Sequence, residues 1–397
     1  MNKFQELDKT YHFNNYGRFP ITMSHGKGCS LWDTEGNEYL DGLAGIGVCS
    51  LGHSHPDITK TICEQANKIM HVSNFFTTEP NAMLSELICK LSGMDRVFFC
   101  NSGAEAIEGA VKIARKYNFM NGRENCEVIS LENAFHGRTL ATITMGKKKY
   151  QEGFGPLPTG FNKANFNDFE DLKSKINDKT GAIIIEPIQG EGGVYVADVE
   201  YLKQVRELCD KNNMLLIFDE VQCGVGRAGY LYAFQEFGIK PDILCSAKGI
   251  AAGFPMGAVM ASQKVANCIE PGNHGTTFGG NPLACAVALT TLQIISNNNF
   301  LDEIKDKSQY FISRLNKELS QFKEFVEVRG KGLIIGVQLN IPSRPVVLKM
   351  LEKGVIVNST ADSVIRILPP LIISKAEIDR IVEVLIISLK ETLTNWF

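Results

Sequence analysis

Between residues 97 and 260 short apolar runs recur, each closed by polar or small residues. Residues 97–100, 128–131, 182–185, 215–218, 243–245 and 258–260 are almost wholly Val, Ile, Leu, Phe, Ala, Met and Cys. Apolar runs without polar alternation belong to strands buried on both faces. Helical spacing fills 56–70, 80–91, 104–117 and 200–212. This alternation predicts an α/β fold with a mainly parallel sheet between helices. The pattern changes after Asn281-Pro282. Helical stretches at 283–295 and 301–319, strand-like runs at 333–337, 355–357 and 364–367, and a terminal helix over 374–394 predict a smaller α+β unit. Residues 31–41 place apolar positions around an acidic Gly turn, which predicts a hairpin. A chain of 397 residues exceeds what one core usually organises. The expected partition is a large domain over 51–280, a small domain over 281–397, and a segment 1–50 that joins the small one.

Composition narrows the class. Hydrophobic residues at 44% and charged residues at 21% fit an ordinary globular protein. A net charge of -3 gives no reason to expect nucleic-acid binding, so an acidic substrate must meet local bases. None of the eleven cysteines is spaced C-x-x-C, the pattern of reduced cytoplasmic thiols. Residues 1–16 are polar and lack the core of a secretory leader, and no apolar run is long enough to span a bilayer. The chain is therefore read as cytoplasmic, with no membrane contact.

The candidate chemistry lies where apolar runs stop. The run 215–218 ends in Asp219-Glu220, and 243–245 ends in Ser246-Ala247-Lys248-Gly249. Open α/β sheets bind ligands at the C-terminal ends of their strands. A carboxylate and an amine on neighbouring strand ends are what pyridoxal phosphate chemistry requires: the amine bonds to the cofactor aldehyde, and the carboxylate keeps the pyridine nitrogen protonated. If the strand persists to Val221, that side chain lies on the side of Asp219 and packs a ring face, while Gln222 can donate to the ring's phenolic oxygen. A metal-binding Asp219-Glu220 pair lacks His or Asp partners nearby in sequence. Lys248 sits among small residues, which suit an amine tucked under a cofactor; an exposed loop lysine is the alternative.

Asn101-Ser102-Gly103-Ala104 opens a helix after a strand, forming either a phosphate cradle or a plain Ser cap. In 135–139, Phe135 can stack on a flat ring and Arg138 can fork a carboxylate, or both can be ordinary loop residues. Thr276 and Thr277 stand in a Gly-rich turn that either binds phosphate or is a simple Thr turn. Glu191 sits in a strand-end loop, and Arg366 interrupts an apolar strand where an unpaired charge is costly, so a carboxylate partner, from the protein or a substrate, is expected. The pair His53 and His55, with no third ligand nearby, reads as a turn and not as a metal site.

Taken together these segments resemble the class III, fold-type I pyridoxal phosphate aminotransferases. The stretch LIFDEVQCGVGRAGYLYAFQEFGIKPDILCSAKGIAAG carries most of the resemblance, with NSGAEA, FHGRT, EPIQGEGG, GTTFGGNP and IRILPPL in the family's order. Within the class the chain is most similar to acetylornithine aminotransferases, followed by ornithine and 4-aminobutyrate aminotransferases. The resemblance implies a seven-stranded type of sheet in the large domain, Lys248 as the cofactor-bonding lysine and Asp219 as the pyridinium partner. It implies Ser102, Gly103 and Ala104 around the phosphate, Phe135, Val221 and Gln222 around the ring, and Thr277 reaching the phosphate of a neighbouring subunit in a homodimer with shared sites. Arg138, with Thr276 and Tyr16 nearby, would bind the α-carboxylate of N-acetylornithine, and Arg366 that of glutamate or 2-oxoglutarate. Glu191 would pair with Arg366 while the ω-amino substrate is bound. Departures are small: Thr276 for Ser, Ile107 for Asn, and Cys223 for Thr or Ser. The expected reaction converts N-acetylornithine and 2-oxoglutarate to N-acetylglutamate 5-semialdehyde and glutamate, in arginine biosynthesis. Ornithine, succinylornithine or 4-aminobutyrate are the alternative donors. Decarboxylase or aminomutase chemistry fits two carboxylate-binding arginines less well, and a binding protein without turnover needs no proton-transfer lysine.

Overall fold

The computed structural model describes residues 2–394. Seven strands form the central sheet: β1 (Arg96–Cys100), β2 (Glu127–Leu131), β3 (Phe161–Ala164), β4 (Thr180–Ile185), β5 (Leu215–Asp219), β6 (Ile243–Ser246) and β7 (Gly257–Ala261). Their spatial order is β1-β7-β6-β5-β4-β2-β3. All neighbours are parallel except β7, which runs antiparallel to both β6 and β1. Successive residues of a strand feed two separate cores. Leu215 and Ile217 of β5 join the core under helix α1 (Gly103–Met120), whereas Leu216 and Phe218 join the core on the opposite face. Both faces of β5 are therefore covered, which is why its sequence carries no polar alternation.

A second, antiparallel sheet takes the order Phe325–Lys331, Ile334–Leu339, Val364–Ile367, Asn358–Thr360. Helices Asn298–Leu319 and Arg344–Glu352 pack with it, and Lys375–Thr394 packs on those two helices. The strands Ser30–Asp33 and Glu38–Asp41 form the hairpin, and Glu38–Asp41 pairs in parallel with Val355–Ile356, Leu40 opposite Val355. The N-terminal segment is thus hydrogen-bonded to the C-terminal third. Helix Pro282–Ile295, read from the sequence as the start of the small unit, instead packs on Pro56–Lys68 and Glu79–Ser92. Its buried face is built from Ala, Val, Leu and Cys, and that face is needed to cover those two helices. Among the described residues no helix is long and apolar enough to cross a membrane, and no cluster of three or more His, Cys, Asp or Glu residues is placed to hold a metal.

Candidate active site

The C-terminal end of β5 organises the site. Asp219 is its last residue, buried, and opposite Cys245 of β6. Three residues beyond Cys245 stands Lys248, so parallel pairing alone brings carboxylate and amine to one edge of the sheet. The Asp219 carboxylate is held at both oxygens. Oδ2 lies 2.7 Å from His136 Nδ1, and Oδ1 accepts the Val221 backbone N–H at 3.0 Å. The second contact needs a turn. The strand stops at Asp219 instead of persisting to Val221, so alternation does not set the direction of the Val221 side chain. Val221 instead reaches the first turn of α1: a Cβ on Gly103 would lie 2.7 Å from Val221 Cγ1. On its other side that turn meets Gly137, whose φ of 133° and whose missing Cβ, which would come 2.9 Å from Ala104 Cβ, let the loop 135–139 close down. Ser102 caps α1, its hydroxyl accepting from Glu105 N at 3.2 Å. The first-turn N–H groups beyond the cap remain available to an anion at the positive end of the helix.

Lys248 has a positive φ of 47° and buried neighbours in Gly249, Ile250 and Ala251. Its ammonium makes no hydrogen bond or ion pair among the described residues. Burial lowers its pKa below the ordinary lysine value; Arg366 acts in the same sense, while Glu191, Asp219 and Glu186 oppose it. Glu186, one residue beyond β4, is buried beside this group, and burial together with the Asp219 charge holds its carboxyl well above the usual range. Its Oε2 accepts the Phe135 backbone N–H at 2.9 Å, which fixes the base of the aromatic loop. Phe135 is half-buried and meets Tyr150 edge-on, ring centres 5.9 Å apart. Arg138 is exposed, with its guanidinium carbon 3.8 Å from the Tyr150 ring centre, and it has no ion pair among the described residues.

On the opposite wall Arg366, fully buried on the strand Val364–Ile367, carries the expected partner. Its Nη1 forms an ion pair with Glu191 Oε1 and donates to Gln222 Oε1 at 3.2 Å, and its Nε donates to Asn358 Oδ1 at 3.1 Å. Burial raises the Glu191 pKa, but Arg366, with Lys248 and Gln222, lowers it and the net shift is downward. Gly190 makes this packing possible, because a Cβ there would fall 1.7 Å from Gln222 Oε1. Thr276 accepts from Asn101 Nδ2 at 3.1 Å. Thr277 is exposed beside Phe75, Phe76 and Phe278 and makes no contact with the Asp219 and Lys248 group. Tyr16 is exposed too, on the N-terminal segment next to Arg18, in a surface cleft lined by Phe4, Asp8, Phe19 and Ile21.

Three buried groups escape a residue-by-residue reading. His136 sits in the FHGRT loop, but nothing near it in sequence reveals that β2 and β5 place it against Asp219. Glu186 and Glu220 are visible only as charges ending apolar runs. Glu220 is structural: it accepts the backbone N–H groups of Ala233 and Phe234, and burial lifts its pKa to about 7.

The chain over residues 11–389 matches the family described as aminotransferase class-III. The chain is a class-III aminotransferase. Pyridoxal phosphate is its cofactor. The site fits that group: a carboxylate fixed at both oxygens, a helix first turn with no side chain at Gly103, and, among the described residues, a Lys248 amine and buried His136 Nε2 and Arg366 Nη2 atoms without a partner. The aminotransferase is 51% identical over 382 residues to the acetylornithine aminotransferase of Methanocaldococcus jannaschii, covering 96% of each chain. An ornithine aminotransferase structure from Toxoplasma gondii, described with partial occupancy of PLP at its active site, superposes with a TM-score of 0.94 at 36% identity, over 97% of this chain and 93% of that one. The acetylornithine aminotransferase of Elizabethkingia anophelis gives 0.87 at 35% identity, over 98% of both chains.

Proposed function

We propose that the aminotransferase moves the ω-amino group of N-acetylornithine to 2-oxoglutarate, yielding N-acetylglutamate 5-semialdehyde and glutamate for arginine biosynthesis in the cytoplasm. The observation that carries this reading is the contrast between two arginines. Arg366 is occupied by Glu191, while Arg138 is stacked on Tyr150 and free of any ion pair among the described residues. A donor whose amine lies far from its carboxylate then finds only the outer arginine open. An α-amino acid needs a carboxylate site close to the reacting carbon, which Arg366 offers once Glu191 moves aside. The high identity to an acetylornithine aminotransferase supports the acylated donor, and the ornithine aminotransferase neighbour makes free ornithine the second reading.

Bound pyridoxal phosphate stores the amino group between the two half-reactions and draws electrons from the carbon that carries it. The protein supplies the rest. Asp219, with His136 donating to Oδ2, presents a fixed carboxylate that holds the proton on the ring nitrogen. Lys248 Nζ has a lowered pKa, so it can carry a proton from the reacting carbon and return it. Ser102, Gly103 and Ala104 would hold the phosphate, Phe135 and Val221 would pack the ring, and Gln222 would offer its amide to the phenolic oxygen. Thr276 is hydrogen-bonded to Asn101, next to the Ser102 cap, and Thr277 is exposed beside it; a homodimer accounts for Thr277, which would meet the partner subunit's phosphate. Exposed Phe75, Phe76 and Phe278 around Thr277 support a subunit contact there.

The test is a donor panel. Holoenzyme is mixed in turn with N-acetylornithine, succinylornithine, ornithine and 4-aminobutyrate, and the change in cofactor absorbance gives each half-reaction rate. The expected order has N-acetylornithine fastest. Faster discharge by free ornithine or 4-aminobutyrate would overturn the assignment.

A further inference from the structure

Glu191 leaves the large domain on a loop, and that loop is fastened from the other side. Its backbone carbonyl accepts Thr360 Oγ1 at 2.9 Å, from the strand Asn358–Thr360 of the small sheet. Two residues on, the Gly193 carbonyl accepts Arg329 Nε at 2.8 Å, and the same guanidinium lies 3.9 Å from the Tyr195 ring centre. Arg329 is itself fixed, donating through Nη2 to Gln338 Oε1 at 2.9 Å and through Nη1 to Glu327 Oε1 at 2.7 Å. Among the described residues the one further side-chain contact to the Glu191 carbonyl is longer, Lys147 Nζ at 3.3 Å. Arg366 belongs to the same small sheet, two strand positions from the Thr360 hydroxyl across the pairing of Asn358 with Arg366 and Thr360 with Val364. The sheet that carries Arg366 therefore also carries the groups that hold Glu191 over it.

We infer that Thr360 and Arg329 are positioning residues that set the substrate preference, because they keep the Glu191 backbone where its carboxylate covers Arg366. This inference rests on the reading of Glu191 as a cover for Arg366. The argument is one of register. Gly190, Gly192 and Gly193 give the loop freedom on both sides of Glu191, and Gly193 adopts a φ of 121°. A side chain on so permissive a backbone keeps one position only if the backbone is tied, and the ties come from Thr360 and Arg329. Releasing one favours arrangements in which Glu191 is off Arg366, which opens the inner arginine to α-amino acids and weakens the bias toward ω-amines.

The experiment uses holoenzyme and two single-turnover half-reactions, one with N-acetylornithine and one with glutamate. Thr360→Val keeps shape and removes the donor. Its ratio of kcat/KM for N-acetylornithine to kcat/KM for glutamate should fall about 3- to 10-fold, the effect of one lost hydrogen bond. Thr360→Ser should restore the ratio, and Arg329→Gln should lower it in the same direction. In a Glu191→Ala background Thr360→Val should not change the ratio further. Equal losses in both half-reactions, or an unchanged ratio in Thr360→Val and Arg329→Gln, would overturn the inference. If Glu191→Ala itself leaves the ratio unchanged, the reading of Glu191 as a cover fails first. If Glu191→Ala shifts the ratio and the two positioning variants do not, only the present inference fails. Should Thr360→Val not fold, Arg329→Gln with Arg329→Lys as its conservative partner decides the question.

Discussion

At the residue scale, Lys248 and Asp219 differ in how much the protein does for them. Asp219 is surrounded by donors and cannot turn away. Among the described residues Lys248 has no hydrogen-bond or ion-pair partner, and it sits at a backbone conformation uncommon for a non-glycine residue. The contrast matches their tasks, since a group that holds one proton must be fixed while a group that carries protons must move. Lys248→Ala should abolish turnover, a loss of at least about 1,000-fold, and should remove the visible absorbance of the covalently held cofactor. Both are read from one spectrum and one coupled assay. Retained turnover would mean that another amine does the work.

At the element scale, the loop that follows β5 carries a long-range tie. Arg227 is fully buried, and its Nη1 donates to the carbonyls of Leu333, at 3.0 Å, and Pro369, at 2.5 Å. Burial pulls its pKa down to about 9. Arg227→Leu would leave both carbonyls without a donor in a dry interior, which should cost about 2–4 kcal/mol. Calorimetry should show this as a lower Tm, with activity at 25 °C reduced less than stability.

Legibility followed the same physics. The runs in β4, β5 and β6 are buried on two faces, so apolarity alone marks them. The run in β7 marks a strand equally well but says nothing about direction, and its antiparallel pairing emerges only in the fold. That Arg366 needs a carboxylate partner is legible because a charge inside an apolar strand is costly unpaired, whereas Glu191 as that partner follows only from the family resemblance. The pairing of His136 is not legible, because its partner is 83 residues away and an imidazole in a loop demands nothing. Strand alternation does not set the direction of Val221, because it does not survive the turn that Asp219 needs for its second hydrogen bond.

At the scale of the whole molecule, pH and assembly are the levers. Asp41 is buried, accepts the N–H groups of Leu43 and Ala44 at 2.8 Å, and lies 2.7 Å from His53 Nε2. The hydrogen bond to Asp41 raises the His53 pKa from 6.5 to about 9. A pKa raised on folding adds stability that is complete below about 6.5 and is lost as pH climbs through about 9. Tm should therefore fall over that interval, by about 2–5 °C from this pair, and His53→Gln should flatten the fall. Assembly is tested at Phe75, which is 92% exposed. In the proposed homodimer, Phe75→Asp should leave a monomer in sedimentation velocity, with circular dichroism unchanged and turnover lost. A dimer that survives this change would place the subunit contact elsewhere.

The parallel pairing of Glu38–Asp41 with Val355–Ile356 has a consequence for biosynthesis. The leading hairpin leaves the ribosome with an open edge and must wait for more than three hundred further residues before its last neighbour is made. Until then it is exposed to unwanted β-pairing with other nascent chains. A chain truncated just ahead of Val355 should collect in inclusion bodies, although every catalytic group before that point has been synthesised.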